Sequence, residues 1–430
     1  MNLQDILDPQ LDASFKGFPQ HAAPLRRSDI AAQRWNVLDG DLPLPIALVK
    51  RDAVTHNLSW MQRFAAGHGV DMAPHGKTTM SPQLFRSQLD AGAWGLTFAT
   101  VGQVRAGATA GARRCIIANQ VLTAADLQGI QTLQKEFSGL RIAFLVDSLT
   151  QLGLIEDWFT LHPQAARFEV LLEIGVPGGR TGCRTHGDAL TLAERIFKSA
   201  AVRLIGIECY EGGGASGNTE PDSAYANALM ERVSAIAFAC DAAGWFDTDE
   251  VLITAGGSAI FDLVVNQLKP ALSRPVRGLL RSGCYVTHDH GFYRRLVNAV
   301  NTRLDCVDGL HAAIEVWATV QSCPEPGLAI LAVGRRDLSY DLDLPTPLAY
   351  APFDLPGARK VMTAPADWKV TALNDQHAYL RWTDAGSALL NVGDRLALGI
   401  SHPCTTFDKW RWMPMVDAQY NVVDALVTCF

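Results

Sequence analysis

The sequence predicts an α/β protein in which a (β/α)8 barrel of the TIM type is followed by a C-terminal antiparallel β domain. Two observations carry that prediction. From Val70 to Leu280, short, near-continuous apolar runs alternate with helix-like stretches. They make up about eight units, which is the number a closed barrel needs. After about residue 310 the pattern changes to two-residue alternation, the mark of antiparallel strands. An open doubly wound sheet is the competing arrangement for the first part.

Taken in order, residues 1–43 are aperiodic with scattered prolines and read as an N-terminal extension wrapping the surface. Leu44–Lys50 is apolar and extended, hence a strand. Residues 44–310 hold the barrel. Its strands are read at Val70–Ala73, Gly95–Ala99, Cys115–Ala118, Ile142–Val146, Phe168–Ile174, Arg203–Glu208, Val251–Thr254 and Val276–Leu280. Continuous apolar runs suit parallel strands covered on both faces. Helices are read at Pro82–Ala91, Val101–Ala108, Ala124–Glu136, Leu149–Thr160, Asp188–Ser199 and Asp222–Ala243. They supply right-handed crossovers. Residues 311–430 form the β domain, with strands at Ala312–Gln321, Leu328–Val333, Ala378–Trp382 and Arg395–Ile400; the strand near 44–50 is a candidate to join it. The long segment Leu338–Pro365 within it is rich in Pro and Asp.

The chain of 430 residues is 48% apolar and 19% charged, an ordinary globular composition. A net charge of −7 argues against a nucleic-acid surface. No apolar stretch is long enough to span a bilayer, and Met1–Phe18 has no signal-peptide core, so a cytoplasmic protein without membrane or nucleic-acid partners is expected. Nine cysteines are scattered singly and no CxxC occurs, which argues against a disulfide framework.

Chemistry is expected first at Met72–Pro82. Pro74 cannot donate to a sheet, so the strand stops there, and Lys77 follows just past its carboxyl end. A lysine in a partly apolar site can lose its proton near neutral pH and form a Schiff base with an aldehyde cofactor. Gly256-Gly257-Ser258 follows the seventh barrel strand and Gly283-Cys284-Tyr285 the eighth, the positions where barrels commonly hold a phosphate. Arg180, in a glycine-rich loop beyond the fifth strand, suits a carboxylate, a phosphate or a ring. Tyr210 ends the sixth strand, where its hydroxyl could bond a ring nitrogen. His402 and Cys404, two apart on an extended chain, offer an imidazole and a thiolate to zinc. Each piece alone is as well explained by an ordinary turn, rim or surface residue.

Together the pieces are more specific. Pro74-His-Gly-Lys-Thr78, Arg180-Thr-Gly182, Tyr210-Glu-Gly212, Gly256-Gly-Ser258, Gly283-Cys-Tyr285 and His402-Pro-Cys404 occur in this order over residues 44–415. The set resembles the D-serine dehydratase and D-threonine aldolase family of fold-type III pyridoxal-phosphate enzymes, relatives of alanine racemase. The resemblance implies that Lys77 carries pyridoxal 5'-phosphate, with His75 and Thr78 flanking it. It implies that Gly256, Gly257, Ser258, Gly283, Cys284 and Tyr285 bind the phosphate, that Tyr210 approaches the pyridine nitrogen, and that Arg180 lies beside the ring. His402 and Cys404 would hold Zn2+ or another divalent metal. In that family His-x-Cys goes with dehydratases and His-x-Asp with aldolases, so the expectation is a D-amino-acid lyase, most simply one converting D-serine to pyruvate and ammonia. The alternatives are D-threonine aldolase-type cleavage, dehydration of D-3-hydroxyaspartate, amino-acid racemisation, or a non-catalytic pyridoxal-phosphate carrier. A homodimer is also implied.

Overall fold

The computed structural model describes residues 3–353, 360–383 and 390–430. Its centre is a barrel of parallel strands: β1 (Asp71–Met72), β2 (Leu96–Phe98), β3 (Arg114–Gln120), β4 (Arg141–Val146), β5 (Phe168–Ile174), β6 (Val202–Cys209), β7 (Val251–Ala255) and β8 (Val276–Leu280). β8 returns to β1, pairing Leu279 with Asp71 and Leu280 with Met72. The last gap is closed by Trp94 N–H to Met72 O at 2.8 Å and Thr97 N–H to Pro74 O at 2.8 Å. The barrel therefore has no free edge, which excludes the open-sheet alternative.

Its interior is filled by Ala73, Ile116, Ala143, Leu145, Leu171, Ile205, Leu252 and Leu279. Helices on the outside bury the opposite face of each strand, which explains why these strands are apolar throughout. The helices begin where expected within a few residues. Thr100, Thr123, Ser148 and Thr185 cap four of them, each side-chain oxygen accepting a backbone N–H.

Ten strands of the described residues build the second layer of the molecule. Ile46–Lys50 lies in this sheet and not in the barrel. It pairs antiparallel with Ile314–Trp317 and parallel with Met415–Val416. Buried Glu315 accepts from Trp317 Nε1 at 3.0 Å and from Tyr420 OH at 3.1 Å, and it pairs with Lys50. The Pro- and Asp-rich segment does contain strands, at Thr346–Ala351 and Met362–Thr363. Trp412–Val416 and Val422–Val427 form a further hairpin that the alternation does not reveal. Pro347 and Pro414 explain both omissions, since proline reads as a strand breaker. Pro347 sits beside a register shift, the kind of place a sheet tolerates it.

Residues 3–43 run along the β layer. Phe18 is fully buried, edge-on to Trp35 at 5.6 Å and to Trp412 at 5.4 Å. Among the described residues no helix is long and apolar enough to cross a membrane.

The two layers are joined above the barrel's carboxyl end. His290 N–H donates to Ile400 O at 2.9 Å, stitching the chain after β8 to the loop that follows Arg395–Gly399. A Cβ at Gly399 would stand 2.6 Å from His290 Cβ, so only glycine permits this approach.

Candidate active site

A cavity of about 340 Å³ opens at the junction. Lys77 enters it from a single turn, Gly76–Thr78, that follows β1 and Pro74. The turn is held by the β8 loop: a Cβ at Gly283 would lie 2.6 Å from both His75 O and Thr78 Oγ1. His75, Thr78, Arg180, Tyr210, Gly256, Gly257, Ser258, Gly283, Cys284, His402 and Cys404 line the same cavity. Tyr285 does not; it is buried behind the β8 loop, with Gln88 Nε2 at 3.4 Å from its hydroxyl.

The floor is charged and incompletely paired. Arg281 and Glu208 form a fully buried ion pair, and Arg281 Nη2 also donates to Cys209 O at 3.1 Å. Burial pushes the Glu208 carboxyl up, with the Arg281 guanidinium against it pulling the other way. His75 is held well below its ordinary range by burial and by the charges of Lys77, Arg281 and Arg180, so its ring is neutral at pH 7. His75 Nδ1, Glu208 Oε2 and Arg281 Nε are buried without a hydrogen-bond partner. Three orphaned polar atoms around one cavity are what a polar cofactor would satisfy. Arg180 lies over the Tyr210 ring, 4.5 Å from its centroid. Burial raises the Tyr210 hydroxyl, which stays protonated.

The Gly-Gly turn differs in detail from the sequence expectation. The N–H groups of Gly256 and Gly257 donate to the carboxylate of buried Glu211, at 2.9 and 2.7 Å. They are engaged by the protein rather than directed at an anion. Glu211 fixes the turn so that Ser258 faces the cavity.

On the opposite wall His402 Nδ1 contacts Asp341 Oδ2 at 2.6 Å, and Thr405 Oγ1 donates to Asp341 Oδ1 at 2.7 Å. This pairing fixes the imidazole, as carboxylates do behind metal-bound histidines. Cys404 Sγ stands 3.5 Å from Thr78 Oγ1 and 3.8 Å from Cys284 Sγ. The hydrogen bond from Cys284, with His402 beside it, holds Cys404 well below the usual thiol range despite burial. The same bond and burial push Cys284 up. Burial opposes protonation of His402, but Cys404 and Asp341 outweigh it and raise the ring to about 9. An imidazole beside a low-pKa thiol is a donor set that suits zinc.

Sequence reasoning missed Asn119, Glu208, Arg281, Tyr293 and Asp341. Asn119 and Glu208 are polar residues at the carboxyl ends of apolar strands, a signal that was available. Arg281 stands two residues before Gly283. Asp341 gave none, since its contact spans 61 positions. Another cluster, His56, Asp308 and His311, lies at the surface, where His56 Nε2 contacts Gly309 O and His311 Nε2 contacts Asp308.

Comparison with known proteins agrees with this architecture. The alanine racemase N-terminal domain model matches residues 49–275, and a serine dehydratase domain model matches residues 313–416. A D-threonine aldolase of Arthrobacter sp. is 26% identical over 82% of this chain and 83% of its own length. The D-threo-3-hydroxyaspartate dehydratase of Delftia sp. strain HT23 is 27% identical over 85% of this chain and 92% of its own. The crystal structure of D-threonine aldolase from Filomicrobium marinum superposes with a TM-score of 0.75 at 21% identity, covering 90% of this chain and 95% of that one. Solved variants of a D-threo-3-hydroxyaspartate dehydratase replace a histidine and a cysteine two positions apart by alanine, the cysteine variant in a metal-free form.

Proposed function

The chain belongs to the alanine-racemase-like family of fold-type III pyridoxal-phosphate enzymes, and on that premise we propose that it is a metal-dependent lyase of D-3-hydroxy amino acids. Its reaction is removal of the β-hydroxyl, with D-serine giving pyruvate and ammonia. One observation carries this reading: a lysine from the start of the barrel and an imidazole–thiol pair from the β layer line a single cavity.

Lys77 would hold pyridoxal phosphate, with Ser258 and the Gly283–Cys284 turn as candidates for its phosphate and Tyr210, Arg281 and Glu208 as the other polar groups that would receive it. When bound, that cofactor supplies an electron sink for negative charge at the substrate's α-carbon. His402 and Cys404 would hold a divalent cation, zinc by the softness of the donors, which supplies Lewis acidity for loss of a poor leaving group. The amine of Lys77 takes the α-proton. Arg180 orients the carboxylate. Neutral His75 adds no charge to compete with Lys77.

The cavity also favours a substrate with one carboxylate. Among its described lining residues, Arg281 is paired with Glu208 and His402 with Asp341, which leaves Arg180 and Lys77 as cations without a carboxylate partner. With Lys77 committed to the cofactor, one cation remains. This supports D-serine over a hydroxyaspartate. Aldol cleavage is the second reading, favoured by the D-threonine aldolase of Arthrobacter. A homodimer is expected for a protein of this family.

The deciding experiment incubates purified protein, cofactor and Zn2+ with D-serine, D-threonine and D-threo-3-hydroxyaspartate. Oxo acid and ammonia from D-serine, absent in Lys77→Ala together with the cofactor's visible absorption, are the expected results. Glycine and acetaldehyde from D-threonine, with no oxo acid from any substrate, would establish cleavage instead.

A further inference from the structure

We propose that Cys284 is a third protein ligand of the metal, a second thiolate beside Cys404; this inference rests on the metal assignment made above. The two cysteines come from different layers of the fold, 120 positions apart. Cys284 sits in the turn after β8, within the stretch that the sequence assigned to the phosphate. Its side chain points elsewhere. Its sulfur lies 3.8 Å from Cys404 Sγ and 3.9 Å from Thr78 Oγ1, and Cys404 Sγ is 3.5 Å from the same hydroxyl.

The sulfur separation fits the role. Two thiolates on one tetrahedral zinc, each about 2.3 Å from the ion, stand about 3.8 Å apart. A disulfide requires about 2.05 Å. The pair therefore has the spacing of co-ligands and not of a crosslink. Cys404, Cys284 and His402 line the same cavity, and His402 Nδ1 is committed to Asp341, which leaves its Nε2 as the donor. The chemistry is consistent at each end. A thiol that ligates gives its proton to solvent. A catalytic zinc with three protein ligands keeps an open position for water or for a substrate oxygen. The turn after β8 would then serve both groups, its backbone toward the phosphate and the Cys284 sulfur toward the metal.

Zinc K-edge X-ray absorption of the zinc-loaded holoenzyme tests this by counting sulfurs. Two sulfurs per zinc are expected in the wild type and one in both Cys284→Ser and Cys404→Ser. In the cobalt-substituted protein, the sulfur-to-cobalt charge-transfer band should fall to about half in Cys284→Ser. One sulfur in the wild type overturns the role of Cys284 and leaves the His402–Cys404 site standing. No bound metal in the wild type overturns both. Should Cys284→Ser fail to fold, the wild-type sulfur count decides by itself.

Discussion

At the scale of single residues, the side chains that organise the cavity are mostly ones that never face it. Asp341 grips His402 from behind, and Glu211 grips the Gly256–Gly257 turn. Asp341→Ala frees the imidazole and should weaken metal binding by about 10- to 100-fold, read by competition against a chromophoric chelator, with the cofactor's absorption unchanged. Glu211→Ala leaves two turn N–H groups without their acceptor. It should cost about 1–3 kcal/mol in urea unfolding and loosen the cofactor, while Glu211→Gln, which keeps one acceptor, should do less damage.

These residues also mark how far a sequence can be read. Lys77, His402 and Cys404 announce themselves by residue type and by the turn chemistry around them. Glu211 lies inside a motif recognised for its tyrosine and glycines, yet nothing local indicates that its carboxylate reaches a turn 45 positions away. Cys284 is similar, since a cysteine in a turn that reads as a phosphate loop gives no hint of which neighbour its sulfur meets. Such roles depend on tertiary proximity, which periodicity does not encode.

Among the elements, the barrel strands were legible because doubly covered strands must be apolar throughout, and that pattern is local. The β layer was legible only where strands alternate without proline. Leu171, fully buried inside the barrel, gives a direct check on the closed interior. Leu171→Ala should cost about 2–5 kcal/mol, read from the urea midpoint. The helix Phe292–Arg303 owes its start to Asp289, whose carboxylate accepts from Gly291 N–H at 2.9 Å and from Tyr293 and Arg294 N–H at 3.2 Å. That cap sets Tyr293 into the cavity wall. Asp289→Ala should cost about 1 kcal/mol and perturb the cavity from a distance.

Over the whole molecule, the seam between barrel and β layer carries a pH dependence. Burial lowers His288 and His290 to about 3, from an ordinary value of 6.5. At these two rings the unfolded chain therefore binds more protons than the folded one between about pH 6.5 and pH 3. Stability contributed by their burial is complete above pH 6.5 and is lost as pH falls through that window, by up to about 1.4 kcal/mol per unit for each ring. His288→Asn, which cannot titrate and tolerates the left-handed backbone at this position, should make the urea midpoint less sensitive to acid between pH 7 and pH 5 than in the wild type, where the raised carboxyls of Glu208 and Asp289 act in the opposite sense. An unchanged slope would place the acid sensitivity elsewhere.

The strand Ile46–Lys50 has a consequence for how the protein can be taken apart. Because it belongs to the sheet that the chain rejoins only after completing the barrel, the β layer is made from both sides of the barrel in sequence. No single cut separates an intact barrel from an intact sheet. A fragment starting at residue 311 would leave an empty slot between Ile314–Trp317 and Met415–Val416, and a synthetic peptide of residues 44–50 should be drawn into it. The same clasp ties the loop of His402 and Cys404 to the turn of Lys77 from both directions along the backbone, so the halves of the cavity cannot drift apart without first unzipping a strand.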